Sequence, residues 1–370
     1  MNKPRPHPEL TTYLVAREAG RKFTRRQIVK IGVAAGVAGS LALAGRSAFA
    51  LSKMPIAQSG VTLFYLYVYV GIDEGFFRQE GLDIDLFTAG GGGGQPAVNA
   101  LAAREAMCST QDPVLCEAAR QKGATVRSIG ALVDRMAVYV VGKKEIPTQD
   151  LSGWKGKKLV ILQRPNTAAS VINYVLSKQG WKEDPKNNWI PPDGGKPLTT
   201  MEIRQGNEFP PLLSGAVDMT AGYEPGASDA ITRGKDLHIV WSFPEYFGDF
   251  LFSSLCANDE DIRQRPEMLQ GFVNGIARSL KFVRTEKQRT LEIARKWFPQ
   301  LSPIAIESAF NTFVRENVYP QRTVISEKAW KANFDDFLPF VKYPLKLPVS
   351  MAEVTNMEFA KNADKKFGLG

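Results

Sequence analysis

Apolar and polar positions are most tightly patterned between Val61 and Phe87, VTLFYLYVYVGIDEGFFRQEGLDIDLF. VTLFY is β-branched and aromatic and reads as a strand. After the aromatic run that ends near Tyr69, a short helix would bury Val70, Phe76 and Phe77. The same helix turns Asp73, Glu74, Arg78 and Gln79 to water, until Gly81 supplies a left-handed stop. LDIDLF then alternates with period two, as a second strand does. Strand, short helix and strand make a βαβ unit, and such units bind ligands beyond the carboxyl ends of their strands. Tyr65 is expected in the core and Tyr69 at the helix start, which leaves Tyr67 to face a solute.

Further on, a helix is expected from about Gln95 to Glu105 with Val98, Leu101 and Ala102 on one face. The next is framed by Asp112 as N-cap, Pro113 at the first helical position and Gly123 past the end. Val126 to Leu132 and Ala137 to Val141 read as strands. A second lobe opens near Pro147: strand Leu159 to Leu162, a helix capped by Asn166 or Thr167 and ended by Gly180, then strands Asp218 to Ala221 and His238 to Ser242. From about Ala257 the chain reads as helical. The segment Asp184 to Leu198, rich in Pro, Gly and Asn around Trp189, is either a surface hairpin or a lid.

The first 50 residues read as an address. Thr24-Arg25-Arg26-Gln27-Ile28-Val29-Lys30 has the twin-arginine form, a weakly apolar stretch follows from Ile31 to Gly45, and Ala48-Phe49-Ala50 is an A-x-A cleavage site. The apolar stretch is shorter than the roughly 20 residues a bilayer demands. Residues 1–50 hold nine of the 47 basic and two of the 38 acidic side chains, so residues 51–370 carry 38 against 36, a net charge of only +2. The basic balance belongs to the leader and gives no reason to expect nucleic acid as a partner. Cys108, Cys116 and Cys256 are expected as buried thiols, and no zinc spacing is present.

Six phrases carry a family resemblance, in order: GIDEGFFRQEGLDIDL, GGGGGQPAVNALAA, CSTQDPVLCEAARQKG, LSGWKGKKLVIL, LLSGAVDMTAGYEPGASDAITRG and RPEMLQGFVNGIARSLKFV. Together they resemble the periplasmic solute-binding proteins of ABC transporters for nitrate, sulfonates, taurine and thiamine precursors, from about Ser59 to about Arg284. The resemblance implies an α/β, two-lobed periplasmic-binding-protein fold of type II with a mixed sheet in each lobe and a hinge between them. It also implies that the helical C-terminal part returns to the first lobe, giving lobe I as residues 58–146 plus 257–370 and lobe II as 147–256. The implied partners are a small-molecule ligand, a membrane permease and its ATPase, with the twin-arginine machinery serving export. A soluble periplasmic monomer without cofactor is expected.

Gly90 to Gly94, followed by Gln95 and Pro96, leaves backbone N–H groups at a helix start that either bind an anion or form a flexible turn. The ending of a P-loop is absent. Ser109, Thr110 and Gln111 form a second strand-to-helix turn, with Asp112 read as a cap rather than a contact. In lobe II, Arg164 either pairs bidentately with an acid or lies on the surface, and N–H groups near Asn166 and Thr167 can hold an oxygen. Tyr223-Glu224-Pro225 resembles the family's pair before proline that faces ligand. The expected cleft therefore holds Tyr67, Gln95, Ser109, Thr110 and Gln111 from one lobe and Arg164, Asn166, Thr167, Tyr223 and Glu224 from the other.

Two ligand readings stay open. Arg164 and the glycine turn suit a sulfonate or carboxylate, whereas the tyrosines, Trp241 and Glu224 suit a flat nitrogenous ring. Catalysis has little to work with, because His238 is the only histidine after residue 50 and no nucleophile elbow or HExxH motif occurs. The competing class is a periplasmic enzyme or cofactor protein exported folded.

Overall fold

The computed structural model describes residues 51–91, 94–164, 166–341 and 343–370; residues 1–50, where an export signal is expected, and part of the glycine run lie outside them. The first strand is β1, Ser52–Gln58, not the expected Val61 to Tyr65. That stretch is a helical turn, Leu63–Tyr65, continuing into helix α1, Leu66–Asp73. An apolar run buried on all sides carries no period that separates strand from helix, and Leu66 through Gly71 are all buried. Helix α2, Phe76–Gln79, follows, and Gly81 has the left-handed φ of +80° that lets the chain turn into β2, Leu82–Thr88.

The first sheet has the order β2-β1-β3-β12-β4, with β3 at Cys108–Gln111, β4 at Val126–Val133 and β12 at Ser253–Asn258. β1 runs parallel to β2 and β3, while β12 runs antiparallel to β3 and β4. Helices α3, Gly94–Ala102, and α4, Pro113–Gln121, connect its strands. The predicted frame of α4 holds: Asp112 Oδ1 accepts the Val114 N–H at 2.9 Å, Pro113 opens the helix and Gly123 has a φ of +97°.

The second sheet has the order β11-β5-β10-β6-β9-β8-β7. Its central strands are β5, Tyr139–Lys143; β6, Lys158–Leu162; β9, Leu198–Ile203; β10, Met219–Gly222; and β11, Leu237–Ser242. β6, β9 and β10 are parallel, and β5 runs against both β10 and β11. Helix α5, Thr167–Lys178, takes Asn166 as its cap through a 2.8 Å bond from the Ala168 N–H. Strands β7, Lys182–Glu183, and β8, Asn188–Ile190, form a hairpin whose Trp189 is 3% exposed inside lobe II. The segment around Trp189 is therefore a hairpin and not a lid.

Two boundaries move relative to the sequence reading. β5 belongs to the second sheet although it was expected in lobe I, and β12 belongs to the first although it was expected in lobe II. Hydrophobicity announces a strand but not its sheet, which is decided by distant pairing partners. The chain thus crosses between sheets at residues 134–138 and 243–252. The crossings run side by side: the N–H groups of Phe252, Phe250 and Phe243 reach the carbonyls of Val133, Asp134 and Val138 at 2.9, 2.9 and 3.2 Å.

Lobe II adds helices α6, Pro210–Leu213, and α7, Gly226–Arg233, before the second crossing, which contains α8, Phe243–Phe247. Beyond β12, helices α9, Asp259–Gln264, α10, Pro266–Thr285, and α11, Lys287–Trp297, return to lobe I, where Tyr69 stacks on Trp297 at 4.5 Å. Helix α12, Pro303–Arg315, packs Phe310 and Phe313 on Tyr319 and also touches lobe II, through a 3.0 Å bond between Ser228 of α7 and Ser308. Further on, Phe337 and Phe340 pack on Tyr174 of lobe II. Among the described residues no helix is long and apolar enough to cross a membrane.

Phe77 fills a slot that only glycines leave open. A Cβ on Gly71 of α1 would lie 2.6 Å from the Phe77 ring and 2.6 Å from Ser279 Oγ, and a Cβ on Gly275 of α10 would collide with the same ring. Overpacking of this kind costs about 1–3 kcal/mol. Gly275→Ala is expected to lower unfolding stability by that amount in urea titration, whereas alanine at Gly60, where a Cβ meets nothing within 4 Å, should leave it unchanged.

Candidate functional site

The carboxyl ends of the parallel strands in the two sheets supply the site. In lobe I these are Gln58 and Ser59 after β1 and Gln111 and Asp112 after β3, joined by Ser253 at the start of β12. Tyr65 reaches this edge, its hydroxyl 2.6 Å from Ser253 Oγ and 3.4 Å from Ser59 Oγ, while Ser253 Oγ donates to the Gln111 carbonyl at 3.1 Å. In lobe II the matching edge holds Asn166 at the head of α5 and Tyr223 after β10. The Tyr223 hydroxyl donates to Asn166 Oδ1 at 3.2 Å.

Aromatic rings connect the edges. Phe64 sits edge-on to Tyr65 at 4.8 Å and to Phe252 at 5.8 Å, and Phe252, in the second crossing, lies 6.3 Å from Tyr223. Phe64, Phe252 and Tyr223 each keep part of their surface open, whereas Tyr65 is buried. The crossing therefore sets a continuous aromatic wall between two polar rims.

The polar groups of β3 are short of partners. Ser109, Thr110 and Gln111 are at most 1% exposed, yet Ser109 Oγ, Thr110 Oγ1 and both amide atoms of Gln111 lack hydrogen bonds. Buried polar atoms are ordinarily satisfied, so such a cluster is unspent binding capacity or a water site. Cross-strand pairing of Ser109 with Cys256 and Gln111 with Ser254 places those two side chains on the sheet face that also carries these serine and cysteine groups. Thr110 points to the opposite face, beside the Tyr65 hydroxyl. Asp112 lies within electrostatic reach of the Tyr65 and Tyr223 hydroxyls and of Tyr343. Burial pushes its carboxyl up to about 6, partly offset by the Val114 N–H.

Of the ten expected site residues, Thr110, Asn166, Thr167 and Tyr223 lie at these edges, Thr167 as the half-buried first residue of α5. Ser109 and Gln111, the latter at the last position of β3, turn their side chains to the sheet face shared with Cys256 and Ser254 and are buried inside lobe I. The remaining four are placed elsewhere. Tyr67, expected just past the end of a strand, instead lies in helix α1, fully buried, and donates to the Leu132 carbonyl at 2.6 Å. Gln95 is exposed and bonded to Asn99 at 2.9 Å. Arg164 is spent on the sheet edge: Nε donates to Glu202 at 2.6 Å, Nη1 to Glu183 at 3.1 Å and Nη2 to Asn187 at 3.0 Å.

Glu224 turns the other way from Tyr223. Its carboxylate accepts the Ser228 N–H at 2.8 Å and the Ser228 hydroxyl at 2.9 Å, with Arg315 and Glu316 at the end of α12 as charged neighbours. Asp112, Phe64 and Phe252 were the residues that sequence reading missed. Asp112 was visible only as a cap, and Phe252 becomes meaningful only once the crossing is located.

A shallow cavity of about 540 Å³, lined by Gln149, Asp150, Trp181, Trp241 and Tyr246 among others, lies wholly on lobe II. A ligand there would touch one lobe alone and could not favour closure of the two.

Two lobes with facing strand ends, joined by two crossings, define the class of two-lobed binding proteins. The chain belongs to the NMT1/THI5-like family, whose pattern it matches over residues 65–289. The candidate binding protein YtlA of Bacillus subtilis (strain 168) is 23% identical over 289 residues, 76% of this chain and 81% of that one. Among solved structures, the periplasmic aliphatic sulphonate binding protein SsuA of Escherichia coli superposes with a TM-score of 0.61 at 15% identity, covering 82% of this chain and 92% of its own. The periplasmic nitrate-binding protein NrtA of Synechocystis PCC 6803 gives 0.61 at 11% identity, covering 85% and 89%. A desulfurization enzyme, DSZB, gives 0.56 at 13% identity, covering 85% and 99%. At these identities the structural likeness establishes the fold.

The Glu224 carboxyl carries a pH signature. Burial, with Glu316 adding to it and Ser228 opposing it, lifts it from the usual value near 4.5 to about 7. A pKa raised by folding means that the folded chain holds its proton longer than the unfolded chain. The contribution of this group to stability is therefore greatest below pH 4.5 and declines until the pH passes about 7, by on the order of 3 kcal/mol. Glu224→Gln is expected to flatten that decline, as read by urea unfolding at pH 5 and pH 8; an unchanged slope would show that Glu224 does not carry it.

Proposed function

We propose that this chain is the extracytoplasmic solute-binding receptor of an ABC importer. It captures a small organic solute between its lobes, closes about the hinge, and delivers the solute to a permease powered by an ATPase. The observation that carries this reading is the run of rings Tyr65, Phe64, Phe252 and Tyr223, which joins the β3 edge of one lobe, with Thr110 and Asp112, to the Asn166 and Tyr223 edge of the other. Contacts from both lobes are what make closure depend on ligand. SsuA and NrtA, which share the fold, are named as periplasmic binding proteins. The twin-arginine pattern of residues 24–30 and the A-x-A at 48–50 favour export to the periplasm, where the mature chain acts as a monomer.

Binding rather than catalysis fits the side chains. His238 Nε2 lies 2.9 Å from the Ile146 carbonyl at the start of β11, the end of that strand remote from the crossing. The three cysteines are buried as free thiols; burial raises the Cys108 thiol well above its usual value, whereas for the Cys256 thiol burial is outweighed by hydrogen bonds from Cys116, Ser254 and Ser128, which lower it.

Thermal-shift screening with sulfonates, nitrate, carboxylates and nitrogenous rings tests the proposal. One solute class is expected to raise the melting temperature by several degrees at concentrations about a hundredfold above its dissociation constant. A chain that no small solute stabilises would contradict the reading.

A further inference from the structure

The receptor reading leaves the solute open, and the inference here rests on that reading. We infer that the cleft selects a flat solute that presents N–H donors, uncharged or cationic, to the Asp112 carboxylate, and that it disfavours anions. Asp112 stands at the mouth of β3 with only one oxygen engaged, by the Val114 N–H. Thr110 Oγ1, 1% exposed, makes no full hydrogen bond and has the Tyr65 hydroxyl as a polar neighbour on the same edge. Across the cleft, Asn166 Oδ1 already accepts from the Ala168 N–H and the Tyr223 hydroxyl. Its amide N–H groups remain to donate to a ring nitrogen or carbonyl. The wall between is aromatic, formed by Phe64, Phe252 and Tyr223.

Three arginines that could supply counter-charge to an anion are already paired with acids. Arg164, the residue that made an acidic solute attractive, is held between Glu202 and Glu183. Arg135 in the first crossing is paired with Asp249 at 2.8 Å, and Arg315 at the end of α12 with Glu316 at 3.0 Å. A sulfonate or carboxylate entering the cleft would meet the Asp112 carboxylate while these three guanidiniums are already engaged by acids, and like charges at close range repel. A donor-bearing ring meets the opposite field and stacks on the wall.

Calorimetric titration of the full chain with three probes of one ring size decides the matter: benzamidine, benzoate and benzenesulfonate. Benzamidine is expected to bind at least tenfold tighter than either anion. Asp112→Asn should erase that preference without lowering the melting temperature, because asparagine caps a helix as well as aspartate. Asp112→Ser, which also caps, guards against an effect peculiar to asparagine. Tighter binding of benzoate or benzenesulfonate, or a preference that survives both variants, would overturn the solute class and leave the receptor reading intact. Failure of all three probes would also overturn the class, while the receptor reading would still stand or fall by the wider solute screen.

Discussion

Everything in this molecule depends on the antiparallel pairing of its two crossings. Residues 134–138 and 243–252 are the passages between the sheets, and main-chain bonds hold them side by side. A single crossing would let the lobes swivel; two paired ones confine relative motion to bending about a common line, as hinge closure requires. The pairing also puts Phe252 between Phe64 and Tyr223, so the hinge itself forms the floor of the cleft. The C-terminal segment braces this arrangement: the Ala329 carbonyl accepts the Leu251 N–H at 3.0 Å, and Asn333 donates to the Leu251 carbonyl at 2.7 Å.

From that constraint the chemistry follows. Parallel strands end on the hinge side in both sheets, so side chains at those ends meet across the gap. Tyr223 and Glu224 illustrate the precision this gives. One residue faces Asp112 of lobe I, and the next turns into lobe II to cap its own helix and meet α12. The unsatisfied atoms of Ser109, Thr110 and Gln111 concentrate at the same strand end. Across the rest of the lobes, arginine charges such as that of Arg164 are consumed within the protein.

The sequence made local devices legible and long-range ones opaque. The cap of α4 at Asp112, the cap of α5 at Asn166, the left-handed glycines and the β6 strand are written within a few residues and stand where the pattern puts them. The two-lobed fold followed from ordered phrases along the chain. By contrast, Val61 to Tyr65 reads as a strand where the chain in fact turns into α1, since total burial erases the period by which helix and strand are told apart. The same error brought Tyr67 forward as a solute contact, although its hydroxyl is spent on Leu132. Arg164 and Glu224 are legible as charges, but Arg164's partners lie 19 to 38 residues away, and Glu224 is held by Ser228 of α7 with its charged neighbours at the distant end of α12. Asp112 was recognised in its local role, while its position opposite Tyr223 exists only after the lobes are assembled.

The central claim is that solute binding draws the two lobes together. Fluorescence energy transfer between labels on exposed cysteines introduced at Gln95 in lobe I and Gln205 in lobe II would measure it, since the native thiols are buried. A solute that stabilises the chain is expected to shorten that distance in a saturable way, with the midpoint matching its affinity. A stabilising solute that leaves the distance unchanged would contradict the account.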